Sequence, residues 1–145
     1  MKSIIFQKIK FINLKSNEFN NIIKKSGLFL FPSGPGLASI DEHDSYYNSL
    51  KKADYVFFDS GFFVLLLRFF KNIKINKFSG FKFLELFFFY LKTNKTKSIF
   101  CIDPNYKFSK SNKRYLKKLG VKKIYNYIAP KYDTKKLSDK KLLKE

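Results

Sequence analysis

A carboxylate, a hydroxyl and a glycine meet at Asp59, Ser60 and Gly61, directly after the apolar run from Tyr55 to Phe58. A β-branched and aromatic run that ends in such a turn and passes into a long apolar segment predicts strand, turn and buried helix. In a parallel α/β sheet that turn lies at the carboxyl edge, where ligand crevices form, so Asp59 is a candidate general base. The competing reading is an N-cap, since an Asp between strand and helix most often accepts backbone N–H bonds. A second candidate is the loop Ser33-Gly34-Pro35-Gly36, whose glycines would let backbone N–H groups approach a phosphate where a helix starts. It matches neither GxxxxGK[ST] nor GxGxxG, and a plain turn is its default reading. Asp103 repeats the carboxylate at a strand end, again with a turn residue as the default. His43 lies between Glu42 and Asp44 and reads as a solvated helix boundary; with no second His, no histidine metal site can be built. Cys101 has no second cysteine to pair with, which excludes a disulfide and a thiolate metal centre within the chain and fits a reducing compartment.

The elements that must position these residues follow from the apolar pattern. Residues 10–14 alternate weakly and predict a strand, followed by a surface helix through Lys25. Residues 27–31 form a continuous apolar run that stops at Pro32, where Pro and Gly end a strand. The segment from Leu37 to Ala53 predicts helix in two pieces broken near His43, delivering the chain to the strand at 55–58. Residues 60–71 and 81–92 are apolar almost all the way round, which on a helix means burial on more than one side. Residues 97–103 predict a further strand, Ser109–Leu119 a basic helix stopped by Gly120, residues 121–130 a last strand, and 137–145 a helix that begins and ends with the chain. Strands alternating with helices at this spacing argue for an α/β, Rossmann-like parallel sheet with helices on both faces.

The 145 residues suffice for one core and one domain, 1–145, and 45% apolar content supplies the material to fill it. Thirty basic residues against 11 acidic ones give a net charge of +19, which suggests a polyanionic partner: nucleic acid, anionic lipid or a phosphorylated substrate. Tyr and Phe are scattered through apolar runs rather than set on one basic strand face, so a base-stacking platform, and with it nucleic acid, is not the expected partner. Lys, Asn, Ile and Phe are abundant while Arg occurs only at 68 and 114, a pattern of biased base composition that leaves a solvated surface as an equal reading of the charge. The N-terminus lacks a small-residue cleavage site and does not read as a signal peptide. The longest apolar stretch, Phe62 to Phe70, is about half the roughly 20 residues of a spanning helix, so a soluble or peripheral chain is expected. Lys-rich segments at 107–123 and 135–144 suit an anionic membrane surface. The two apolar helices carry more apolar surface than one sheet face can cover, so an exposed patch and a homo-oligomer are further expectations.

Taken together, FPSGPGLASIDEHDSYYNSLKKADYVFFDSGFFVLLL, then KFSGF, then YIAPKY, resemble the WecG/TagA/CpsF family of glycosyltransferases, which transfer N-acetylmannosamine or its uronic acid in teichoic acid and enterobacterial common antigen synthesis. Family landmarks are Thr-Pro-Asn after an early strand, Asp-Gly ending a later strand, and Arg-x-x-Gly before the next helix. Here Pro32 matches the Pro, between Phe31 for Thr and Ser33 for Asn. Asp59 matches the Asp, with Ser60 intervening before Gly61, and Lys77 stands for the Arg with Gly80 as the last Gly. The resemblance implies an inverting, metal-independent transfer of an N-acetylated hexosamine-type sugar, with no cofactor, from a UDP donor to a polyprenyl-diphosphate-linked acceptor. The site would be cytoplasmic, at the inner face of a bacterial membrane, in cell-surface polysaccharide synthesis. It further implies Asp59 as the general base, and Ser33, Gly34, Ser60, Gly61, Lys77 and Gly80 as substrate-binding residues. Family members continue through another strand into a Gly-rich loop ending in Gln-Glu; none of that precedes Glu145, so the chain is expected to be the N-terminal portion of a catalytic domain. The rival reading is a non-catalytic basic remnant that keeps the fold and binds anionic lipid or nucleic acid.

Overall fold

The chain opens with an antiparallel hairpin, β1 (Lys2–Phe6) and β2 (Ile9–Asn13), turned by Gln7 and Lys8, whose φ angles are +46° and +60°. A two-residue turn with positive φ at both positions matches the right-handed twist of its strands, which is why it persists without Asn or Gly. The computed structural model describes residues 2–94, 96, 98–132 and 139–144. They fall into two compact units, Met1–Phe87 and Phe88–Glu145, and the boundary lies inside a helix, where no linker composition marks it.

In the first unit β2 is followed by a 3-10 helix, Ser16–Asn21, shorter than the surface helix expected through Lys25; Glu18 Oε2 accepts from the Lys15 amide at 2.8 Å and closes its first turn. Next come β3 (Phe29–Leu30), α1 (Gly34–Ala38), a 3-10 turn at Ile40–Glu42, and α2 (Asp44–Lys52), with the expected break at His43. Then follow β4 (Tyr55–Phe57), α3 (Gly61–Lys71) and α4 (Gly80–Thr93), which continues into the second unit. The sheet order is β1-β2-β4-β3, with β2, β4 and β3 parallel and β1 antiparallel. The unit is therefore mixed α/β rather than wholly parallel, because the N-terminal hairpin adds an antiparallel edge.

Alternation along β4 divides its side chains between two layers. Val56 and Phe58 face a core with Ile9, Phe11, Ile40, Leu50, Val64 and Leu67, where Phe11 and Phe58 stack at 4.8 Å. Phe57 faces an aromatic layer in which its ring lies 4.9 Å from Phe31 and 5.5 Å from Phe78, and Phe83 packs 5.0 Å from Phe31. The prediction that α3 is buried on more than one side does not hold. Val64 and Leu67 are buried, but Phe62, Leu65, Leu66, Phe69 and Phe70 are exposed.

In the second unit β5 (Ser98–Asp103) pairs in parallel with β6 (Lys123–Ile128), with α5 (Tyr106–Lys118) between them in sequence. These two strands form a sheet of their own and do not extend the first. The basic helix starts at Tyr106, three residues before the expected start at Ser109, because Asn105 Oδ1 accepts from the Phe108 amide at 3.1 Å and sets the cap there. It ends as expected at Gly120, whose φ is +88°. Of the predicted terminal helix, Leu142–Lys144 forms a 3-10 turn, while residues 137, 138 and 145 lie outside the described residues. Among the described residues no helix is long and apolar enough to cross a membrane.

Candidate functional site

The candidate site lies where β3 and β4 end in the first unit. Both strands run parallel, with Leu30 opposite Val56, so the loops that follow them leave the same edge of the sheet. After β3 the chain reaches Pro32, which is buried, and Ser33, whose Oγ accepts from the Gly36 amide at 3.3 Å and starts α1. After β4 it passes Asp59 and Ser60 into α3. The two turns touch closely: a Cβ at Gly34 would come within 2.9 Å of Ser60 Oγ, so glycine is what lets them approach.

Asp59 is not the cap of the helix that follows it. That role belongs to Ser60, whose Oγ accepts from the Phe63 amide at 3.2 Å. Asp59 Oδ1 instead accepts from the Gly80 amide at 2.9 Å, 21 residues away, at the first turn of α4. Ser79 caps that helix, its Oγ accepting from the Lys82 amide at 3.2 Å. The carboxylate thus lies two residues after β4, one residue before the cap of α3 and bonded to the first turn of α4, and helix N-termini favour negative charge. Asp59 is half-buried, and among the described residues no hydrogen bond reaches its Oδ2.

Lys77 is exposed, and its side chain lies against Gly61, where an added Cβ would sit 3.4 Å from Nζ. Among the described residues Lys77 makes no ion pair; Lys82–Glu85, at 2.9 Å, does. Gly80 abuts Phe31, with its would-be Cβ at 3.4 Å from the Phe31 Cβ. The residues singled out from the sequence, Ser33, Gly34, Asp59, Ser60, Gly61, Lys77 and Gly80, are therefore brought together at one sheet edge.

The backbone that carries Lys77 is clamped from several sides. Asn13, the last residue of β2, donates from Nδ2 to the Lys74 carbonyl at 2.9 Å and accepts at Oδ1 from the amide and side chain of Asn76, both at 2.8 Å. Arg68 donates to the Ile75 carbonyl from Nε at 3.0 Å and also from Nη2. Ile75 and Phe78 are buried, and the Phe78 amide donates to the Phe58 carbonyl at 3.0 Å. Ser79, Asn13, Asn76 and Arg68 were not read from the sequence as site-building residues. Ser79 was legible, since Ser before Gly and an apolar run is a helix-start signal. Asn13 was not, because its partners lie 61 to 63 residues away. A cleft of about 560 Å³ opens beside this clamp, lined by Lys2, Asn13, Lys15, Glu18, Lys74 and Asn76, with Asp59 outside it.

Asp103, the other carboxylate at a strand end, is committed elsewhere. It is 2% exposed and accepts from Asn112 Nδ2 at 2.6 Å and Asn126 Nδ2 at 2.7 Å, tying α5 to both strands of the second unit. Nearby, burial and the Asp103 carboxylate push the Cys101 thiol above its ordinary pKa, which disfavours the reactive thiolate. His43 is exposed and its side chain caps neither neighbouring helix, as expected for a solvated boundary.

Compared with protein-family models and with curated proteins, the chain matches none of either. The likeness to the transferase family therefore rests on the order and spacing of its motifs alone.

Proposed function

We propose that the first unit carries part of a glycosyl-transfer site, in which Asp59 is the general base. The observation that carries the reading is the convergence of Asp59 with the Ser33–Gly34 loop and Lys77 at the carboxyl end of β4. In the reaction, Asp59 Oδ2 takes the proton of an acceptor sugar hydroxyl as that oxygen forms a bond to the anomeric carbon of a UDP-linked N-acetylated hexosamine. The bond from that carbon to the diphosphate oxygen breaks with its electron pair, UDP departs, and the anomeric configuration inverts. Lys77, on its clamped loop, stabilises the charge gathering on the diphosphate as a point charge, where an Arg would bind bidentately. Gly34 lets its turn close on Ser60, and Gly61 leaves room for the Lys77 side chain beside α3. The Rossmann-like reading of the sheet and a polyprenyl-diphosphate-linked acceptor at the cytoplasmic face of a membrane belong to the same proposal.

The test uses the full chain with a UDP-linked N-acetylhexosamine and a short-chain polyprenyl-diphosphate-linked sugar, following UDP release and donor binding separately. Asp59→Asn keeps an acceptor for the Gly80 amide and removes the base. The expected result is preserved donor binding with transfer lowered ~10²–10⁴-fold, the usual contribution of a positioned base. Failure of the unsubstituted chain to bind the donor, or transfer by Asp59→Asn at the original rate, overturns the reading.

A further inference from the structure

The exposed face of α3 is unusual for a helix of a water-facing surface. Phe62, Leu65, Leu66, Phe69 and Phe70 follow the spacing i, i+3, i+4, i+7, i+8 and span roughly 140° of the helix circumference, opposite the side that Val64 and Leu67 bury. Phe62, Phe69 and Phe70 are 70%, 81% and 75% exposed. A contiguous apolar stripe of this kind marks an interaction surface. We infer that this face is a lipid-bilayer docking surface selective for anionic lipid, with α3 lying in the plane of the interface.

Charge decides the occupant. Between Ser60 and Phe81 the sequence holds no Asp or Glu, whereas Arg68, Lys71, Lys74 and Lys77 all fall there; Lys82, the next base, is paired with Glu85. Arg68 and Lys71 are in the last turn of α3, and Arg68, Lys71, Lys74 and Lys77 are exposed. A second copy brought against this face would set like charge against like, on top of a net charge of +19 for each chain. On the helix circumference Arg68 flanks the stripe next to Leu65, while Lys71 lies on the far side over the Phe6 ring, so anionic headgroups would be drawn by Arg68 and by the chain's net charge of +19 while the acyl region accepts the Phe and Leu side chains. At 1.5 Å per residue, the 11 residues of α3 extend about 16 Å, enough to lie along a bilayer and far short of crossing it. The inference rests on the transferase reading only for its consequence, that Asp59, two residues before α3, would be held near a lipid-linked acceptor.

The sequence contains no Trp, so Phe69→Trp introduces a single reporter. With vesicles of phosphatidylcholine mixed with phosphatidylglycerol, its emission should shift to the blue and be quenched by lipids brominated on the acyl chain; with phosphatidylcholine alone both effects should be much smaller. The double substitution Leu65→Glu/Phe69→Glu should lower partitioning at least about tenfold, since it removes apolar area and adds like charge to the membrane. The thermal melt of that variant should match the parent, both side chains being exposed, and this separates lost docking from lost folding. Unchanged emission with anionic vesicles overturns the inference, as does equal vesicle binding by the double variant, which would assign the attraction to lysines elsewhere. A lipid-free blue shift that grows with protein concentration also overturns it, in favour of self-association. None of these readouts involves sugar transfer, so this inference and the transferase reading can fail separately.

Discussion

Substituting Gly34 by Ala tests how tightly the two turns of the site are joined. Gly34 is the first residue of α1 and is not among the described residues with positive φ, so its backbone suits Ala, and reduced freedom of the unfolded chain would stabilise by about 0.4–1 kcal/mol. The new Cβ, however, would stand 2.9 Å from Ser60 Oγ, closer than such atoms approach, while the Ser60 Cβ would lie at an ordinary 3.6 Å. The hydroxyl is the group that must move, and moving it gives up the bond from the Phe63 amide, an N-cap worth about 1 kcal/mol. The two effects nearly cancel, so Gly34→Ala alone should change stability by less than about 1 kcal/mol. In a Ser60→Ala background the clash is gone and the cap already lost, so the same substitution should stabilise by about 0.4–1 kcal/mol. The coupling across the cycle is then about 1 kcal/mol, readable by urea denaturation as a difference between paired midpoints. Equal stabilisation by Gly34→Ala in both backgrounds would refute the reasoning, because it would mean that the loops separate freely and do not hold Asp59 in place.

Asp103→Ala should destabilise the second unit by about 2–5 kcal/mol, since it leaves the Asn112 and Asn126 amides without their acceptor in a buried setting; amide hydrogen exchange in β5 and α5 is the measurement. Asp139 accepts from the Leu142 amide and from the hydroxyls of Tyr132 and Tyr127, and these bonds hold its pKa below the ordinary 3.8. A carboxyl lowered on folding contributes stability that is fully present above its unfolded pKa and is lost as pH falls through the lower folded value. A carboxyl ¹³C titration of Asp139 should accordingly have its midpoint below 3.8, moving upward in Tyr132→Phe.

The parts of the fold legible in the sequence are those whose signals are local. Tyr55 to Phe58 is apolar and β-rich, Gly61 onward is long and apolar, and the turn between them is polar, so strand, turn and helix followed directly. The β1–β2 hairpin escaped because Gln7 and Lys8 take positive φ without the Asn or Gly that announces such a turn. The excess of apolar surface on the two helices pointed to an exposed patch, which α3 has, but burial on more than one side did not follow, because an all-apolar helix reports how much surface must be covered and not which of its sides this chain covers. Phe62 and Phe69 are as apolar as Val64 and Leu67 yet lie on opposite sides of the burial boundary. Within the site, the residues of the two turns were readable from type and order, and Lys77 and Gly80 only through the resemblance to the transferase family. The clamp of Asn13 and Arg68 on the loop before α4 was not, because no sequence pattern records a side-chain bond to a backbone carbonyl, whether 61 residues away as for Asn13 or seven as for Arg68.

The two readings of Asp59, cap and base, cease to compete once the bond to Gly80 is known. A carboxylate that capped its own helix would be turned toward the amides of α3 and away from a ligand. Ser60 fills that place, which frees Asp59 to reach the neighbouring helix through Oδ1 alone. One fixed oxygen restricts rotation of the group and so directs the other, and a base so held costs less ordering when the substrate arrives. The same bond couples Asp59 to the segment that bears Lys77, because the Gly80 amide follows the stretch held by Asn13, Arg68 and the Phe58 carbonyl. A carboxylate needed only to hold α4 in place would be replaceable by Asn with little effect on any reaction. A carboxylate that also takes a proton would not be, and the divergence between folding and transfer in Asp59→Asn is the quantity that separates the two roles.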